Sequence, residues 1–238
     1  MSTIGPTTEK LWRQYLDAEK NRVRLVMLPA LERFIDALLG ESKQSSQQWA
    51  LDFAVQVSDM GTAIPLRHPL LVRVLLPALT DGVLSGTPGC LRWLARLGQG
   101  YPPDIRLPEH LQTPVGLLRE AIRIDPTDQI ARDRLLQIWA ESFEYSLHEL
   151  PAGVLYGYNG ATIPECEELL VILQEFRDCA AGFQQPSRFA ELIADCDLHF
   201  RGYREYLTQE RPSGSYKQFC ETRGLPGHRT GCLGDAGT

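Results

Sequence analysis

The sequence predicts an all-α fold, an irregular helical bundle or α-solenoid of about nine short helices. Three observations carry that prediction. Capping residues stand directly before prolines, apolar residues recur at the 3.6-residue spacing of one helix face, and no alternating run bounded by turn residues reads as a strand.

The capping signals come first. Thr87-Pro88, Thr113-Pro114 and Asp125-Pro126 each place a side-chain oxygen before a proline. The oxygen accepts from an orphan N–H of the first turn, and proline at the first helical position forfeits only a donor that had no partner. Each pair predicts a helix start. Thr162-Ile163-Pro164-Glu165 has the spacing of a capping box, in which Glu165 reaches back to the Thr162 N–H.

Periodicity agrees with the caps. After Thr162 one stripe runs through Cys166, Leu169, Leu170, Leu173, Phe176 and Ala180; a second, behind Pro186-Ser187, runs through Phe189, Leu192, Ile193, Cys196, Phe200, Tyr203 and Leu207. The two helices are expected to pack together. Upstream, Trp12, Leu16, Val23, Met27, Leu31, Phe34 and Leu38 share a face, and Pro29, which has no N–H for the Leu25 carbonyl, is expected to kink or split that helix. Trp49, Phe53 and Val57 mark another helix, and Leu70 to Leu84 is apolar on nearly every side, as for a helix packed among others.

Hydrophobic content of 43% and charged content of 23% exclude wholesale disorder, and 238 residues suffice to bury a core without metal or disulfide. The net charge is −6, with Lys and Arg scattered singly, so nucleic acid is not an expected partner. The most apolar run, Leu70 to Leu79, is interrupted by Arg73 and Pro77 and is too short for the ~20 residues a membrane crossing takes, so no membrane association is expected. Met1 to Lys10 lacks the features of a secretory signal, and the six cysteines are not closely paired, so a cytoplasmic location with reduced thiols is expected. One helical domain is read over 1–208, with a subdivision near 100–112, followed by a Gly/Pro-rich, partly disordered tail over 209–238.

Leu117 to Trp139 carries Leu118, Ala121 and Pro126 at the large apolar, small and proline positions of a helix-turn-helix junction, with Leu135 and Trp139 at the next apolar positions. This stretch resembles the junction between two tetratricopeptide repeats. The resemblance implies helix pairs stacked into a concave surface that grips a peptide or protein. Leu136 stands where the family has a small residue, and no second copy follows at the family's period.

Catalytic and metal constellations do not assemble. His148-Glu149 opens like a zinc-protease motif, but the second His that motif needs is Ala152. Gly153, Gly157 and Gly160 lack the spacing and the preceding strand of a phosphate loop. Cys196, His199, Cys220, His228 and Cys232 allow a zinc site to be drawn, yet Cys196 sits on an apolar stripe where a free thiol acts as a small hydrophobe. Arg223 and His228 resemble the Arg-x4-His element of HEPN ribonucleases, with two glycines and a proline between them that would not hold the pair rigidly. No cofactor or metal is therefore expected.

The densest set of recognition residues is Glu144, Tyr145, His148, Glu149, Tyr156, Tyr158 and Asn159, gathered around a glycine-rich segment of the type that carries function on helical scaffolds. The reading that follows is a non-catalytic protein-interaction module, an adaptor or an inhibitor of the immunity-protein type, whose partner is another protein. Two other readings stand beside it. One is a helical enzyme with its site around His148 and the loop 151–161; the other is a small-ligand or zinc-binding helical domain.

Overall fold

The computed structural model describes residues 4–22, 24–98, 106–150, 162–209 and 215–225. Among them are ten helices and no strand, so the fold is all-α. The chain forms two units, Met1–Ala131 and Arg132–Thr238, a division that falls inside a helix and not near 100–112. None of the described helices is long and apolar enough to cross a membrane.

In the first unit α1 (Pro6–Lys20) and α2 (Arg24–Leu39) pack side by side, and α3 (Lys43–Ser58) closes on them. Trp12, Phe34, Trp49 and Phe53 meet at ring-centroid distances of 4.8–5.6 Å. Such pairs contribute about 0.5–1.5 kcal/mol each beyond area burial, so this cluster is the unit's centre. The expected break in the first stripe occurs, but not at Pro29. The chain turns at Asn21 and Arg22, the latter with φ 54°, and Pro29 lies inside α2. Pro29 comes early in α2 and its ring faces solvent, so the helix loses one bond at an exposed turn and continues.

The apolar stretch from residue 68 to 84 is one continuous helix in three parts: α4 (His68–Leu70), a π-helical turn (Leu71–Leu75) and α5 (Leu76–Leu84). Pro77 cannot donate to the Arg73 carbonyl, and the widened turn lies immediately before it, with the Leu76 N–H bonded five residues back to Leu71. From that turn Arg73 reaches Glu32 at 2.6 Å and Asp36 at 2.7 Å on α2.

Helix α6 (Cys90–Leu97) packs on α3, α5 and α7 (Pro114–Ile124). Close approach needs glycine at positions 82 and 116, among others. A Cβ at Gly82 would lie 2.3 Å from the Cys90 sulfur, and one at Gly116 would lie 1.8 Å from the His110 carbonyl oxygen in the 3-10 turn Glu109–Leu111. A half-buried polar knot ties three elements of this unit. Arg92 donates to Asp59 at 2.6 Å and to Asp128 at 2.9 Å, and the Trp93 Nε1–H shares Asp59 at 3.0 Å. Arg96 adds a bond to the Ser58 carbonyl at the end of α3, where a cation also complements the helix dipole.

Thr113 caps α7 by accepting from the Gly116 N–H at 3.0 Å, as its sequence predicts. The other two Thr/Asp-Pro pairs do not cap. At Thr87-Pro88 the Thr87 hydroxyl lies against Ser85 Oγ, and left-handed Gly89, φ 83°, leads into α6. At Asp125-Pro126 the Asp125 carboxylate accepts from its own near neighbour Thr127, while Asp128 caps α8 (Gln129–Glu149) through the Ala131 N–H.

The second unit is built on the rest of α8, with α9 (Ile163–Ala181), α10 (Ala190–Leu207) and α11 (Tyr216–Arg223). The Thr162–Glu165 capping box forms as predicted. The two apolar stripes meet: α9 and α10 pack together, burying Cys166, Leu169, Leu173, Phe176 and Ala180 against Phe189, Cys196, Phe200 and Tyr203. Phe143 of α8 joins them, its ring 5.5 Å from Phe176 and 5.7 Å from Phe200. Helix α11 falls within the segment read from sequence as a tail. Ser215 and Gln218 cap it reciprocally, and Tyr216, Phe219 and Cys220 are buried.

Candidate functional site

Of the residues singled out in the sequence, Glu144, Tyr145, His148 and Glu149 occupy the last turns of α8. Four-residue spacing puts Glu144 above His148 and Tyr145 above Glu149, while the intervening Ser146 and Leu147 are buried. Tyr145 is 58% exposed and His148 is also exposed; Glu144 and Glu149 are half-buried. Desolvation, with Glu141 adding repulsion, raises the Glu144 carboxyl above the usual range. Tyr156, Tyr158 and Asn159, and the loop 151–161 with them, lie outside the described residues. What is seen is a solvated helix face with one tyrosine and one imidazole. His148 faces solvent, whereas acid–base chemistry calls for an imidazole held in a fixed, water-excluded orientation.

Of the residues drawn into a zinc site, Cys196, His199 and Cys220 belong to the core. Cys196 is fully buried and its thiol is pushed up by desolvation; the same cause raises Cys220. His199 is buried, with Nδ1 3.4 Å from the Tyr216 hydroxyl, and that hydroxyl donates to the His199 carbonyl at 3.0 Å. Among the described residues no group of three or more His, Cys, Asp or Glu is placed to hold a metal ion; His228 and Cys232 lie outside them.

A different site emerges in the first unit, at the corner where α1 ends and α2 begins. A cleft of about 890 Å³ opens between this corner and the segment leading into α4. Leu16, Met27, Ile64 and Pro65 supply apolar lining. Lys20, Arg22, Arg24 and Arg67 supply four cations against one carboxylate, Glu19, which leaves +3 in the lining of a chain whose net charge is −6.

Local structure explains the arrangement. The left-handed turn at Arg22 is closed by its N–H on the Glu19 carbonyl at 3.0 Å, and it sends the chain back along α1 so that Lys20 and Arg24 flank one opening. Arg67 is fixed from behind: its Nε donates to Glu19 at 3.2 Å and its Nη2 to the other Glu19 oxygen. That pairing lowers the Glu19 carboxyl, through the Arg67 hydrogen bond, and raises the guanidinium. Beneath lies Tyr15, fully buried, its hydroxyl 3.4 Å from the Pro65 carbonyl; burial first, and Glu19 second, push it up to about 12. Lys20, Arg22 and Arg24, by contrast, make no ion pair among the described residues.

Apolar surface continues beyond the cleft. Leu25 is 90% and Val26 52% exposed, and Leu28, which lines the cleft, is exposed as well. The sequence carried a signal for this. Leu25, Val26 and Leu28 fall off the stripe of Met27, Leu31 and Phe34, so large apolar side chains stood where no core face could take them. Arg67, 43 positions after Arg24 in the chain, had no such signal. A scan against protein-family models and searches of curated proteins and of solved structures each return no match for this chain.

Proposed function

We propose that this chain is a non-catalytic protein-interaction module of the cytoplasm, and that its contact surface is the α1–α2 corner. The observation that carries the reading is the run of solvent-facing Leu25, Val26 and Leu28 beside an open cleft. Contiguous exposed apolar side chains rimmed by charge mark recognition surfaces, because leaving them in water costs about 25 cal/mol per Å² that a partner's surface recovers. The exposed position of His148 gives the enzyme reading no comparable support.

The test places a photo-crosslinking amino acid at Leu25, and in a second preparation at Arg13, an exposed position of α1. Irradiation in the source cell is expected to yield one protein adduct from position 25 and not from 13, and that protein, purified, is expected to form a stoichiometric complex with this chain. Native mass spectrometry showing a retained small molecule or metal, with no protein adduct, overturns the reading.

A further inference from the structure

We propose that the α1–α2 cleft accepts an acidic, amphipathic segment of the partner, its carboxylates set against Lys20, Arg22, Arg24 and Arg67 and its apolar side chains against Leu25, Met27 and the cleft floor. The inference rests on the interaction reading and names the chemistry of what is bound. Charge complementarity is the first argument. Among the described residues three of the four cations pair with no carboxylate, and Arg67 is held by Glu19 in one orientation with its side chain still 42% exposed. An arginine oriented in advance loses less freedom on meeting a carboxylate than a mobile one. Because the rest of the molecule is acidic, a local +3 patch also steers an anionic partner to this corner and away from other faces.

Extent is the second argument. The cleft volume lies within the range of small-ligand pockets, roughly 300–1,000 Å³. A ligand confined to it, however, leaves Leu25 and Val26 uncovered, since neither lines the cleft although both stand between Arg24 and Met27, which do. A peptide segment spans both. A bilayer surface would cover Leu25 but leave the concavity behind it empty.

The experiment uses the full chain and a fluorescent probe peptide made of glutamate with leucines at helical spacing. Three comparisons accompany it: a copy with lysine for glutamate, a copy with serine for leucine, and vesicles of mixed neutral and anionic phospholipid. Anisotropy is expected to show binding of the acidic, leucine-bearing probe alone, weakening as salt is raised. The double variant R22E/R24E, whose side chains face solvent and whose melting temperature serves as a folding control, is expected to bind about tenfold more weakly. Leu25→Ser is expected to weaken binding several-fold with the salt dependence intact.

Failure of the acidic probe to bind overturns the inference, as does equal binding of the lysine copy or an undiminished affinity in R22E/R24E. Vesicle binding without peptide binding assigns the corner to a membrane surface and overturns it too. If the probe fails while the partner crosslinked through position 25 still forms its stoichiometric complex, the partner's chemistry is not acidic and the interaction reading survives. If both fail, the interaction reading falls with it.

Discussion

Arg92 stands between two carboxylates that would otherwise face each other half-buried. Asp59 and Asp128 are 16% and 11% exposed at the side chain, and Arg92 itself is 21% exposed. Removing the cation leaves two poorly hydrated anions, Asp59 with the Trp93 Nε1–H and Asp128 with the Ala131 N–H. Arg92→Ala is therefore expected to destabilise the first unit by about 2–3 kcal/mol, below the figure for a fully buried pair because water still reaches this one. Urea unfolding should show a lower midpoint with an unchanged slope. Tyr15 gives a second prediction at this scale. Its hydroxyl ionises near 10.0 in the unfolded chain and at about 12 when folded, so the folded state holds the proton longer. Its contribution is complete below pH 10 and is lost as pH rises from there through 12, on the order of 2–3 kcal/mol in all. Tyr15→Phe should remove that part of the alkaline loss, seen as a smaller fall in unfolding free energy than wild type shows over the same interval.

Helix starts show what can and cannot be read from residue order. At Thr113 and Thr162 one oxygen-bearing side chain stands at the right distance from the first turn, and the sequence identifies it correctly. At Asp125-Pro126 two carboxylates stand three residues apart. Residue order marks a turn there but not which carboxylate caps, because that depends on Asp125 bonding Thr127 and on Arg92 drawing in Asp128 from a distant helix. Asp128→Ala is accordingly expected to cost about 2 kcal/mol, losing a cap and an ion pair, and Asp125→Ala only about 0.5 kcal/mol. Equal costs for the two would reassign the cap. The Ser215–Gln218 box was equally present in the sequence, and its flanking Gly, Pro and Ser residues masked it. The stripes of α9 and α10 were legible because both faces are continuous, whereas the buried partnership of His199 with Tyr216 joins two helices and has no local signature. The candidate site divides in the same way. Lys20, Arg22, Arg24 and the off-stripe leucines are local, but the cleft exists only because residues 63–67 fold back against them.

For the molecule as a whole, each unit has an aromatic centre of its own: Trp12, Phe34, Trp49 and Phe53 in the first, Trp139, Phe143, Phe176 and Phe200 in the second. The four tryptophans divide three to one, with only Trp139 in the second unit. Fluorescence can therefore follow the two centres separately. In Trp139→Phe the emission reports Trp12, Trp49 and Trp93 alone, and subtracting it from wild type isolates Trp139. Phe143→Ala opens a cavity between Phe176 and Phe200 and is expected to cost about 3–5 kcal/mol where it acts. If each centre is its own cooperative unit, this substitution moves the Trp139 transition to lower urea and leaves that of the three other tryptophans in place. A coincident shift of both would mean that the chain unfolds as one cooperative body, and Arg92→Ala would then lower the Trp139 transition as well.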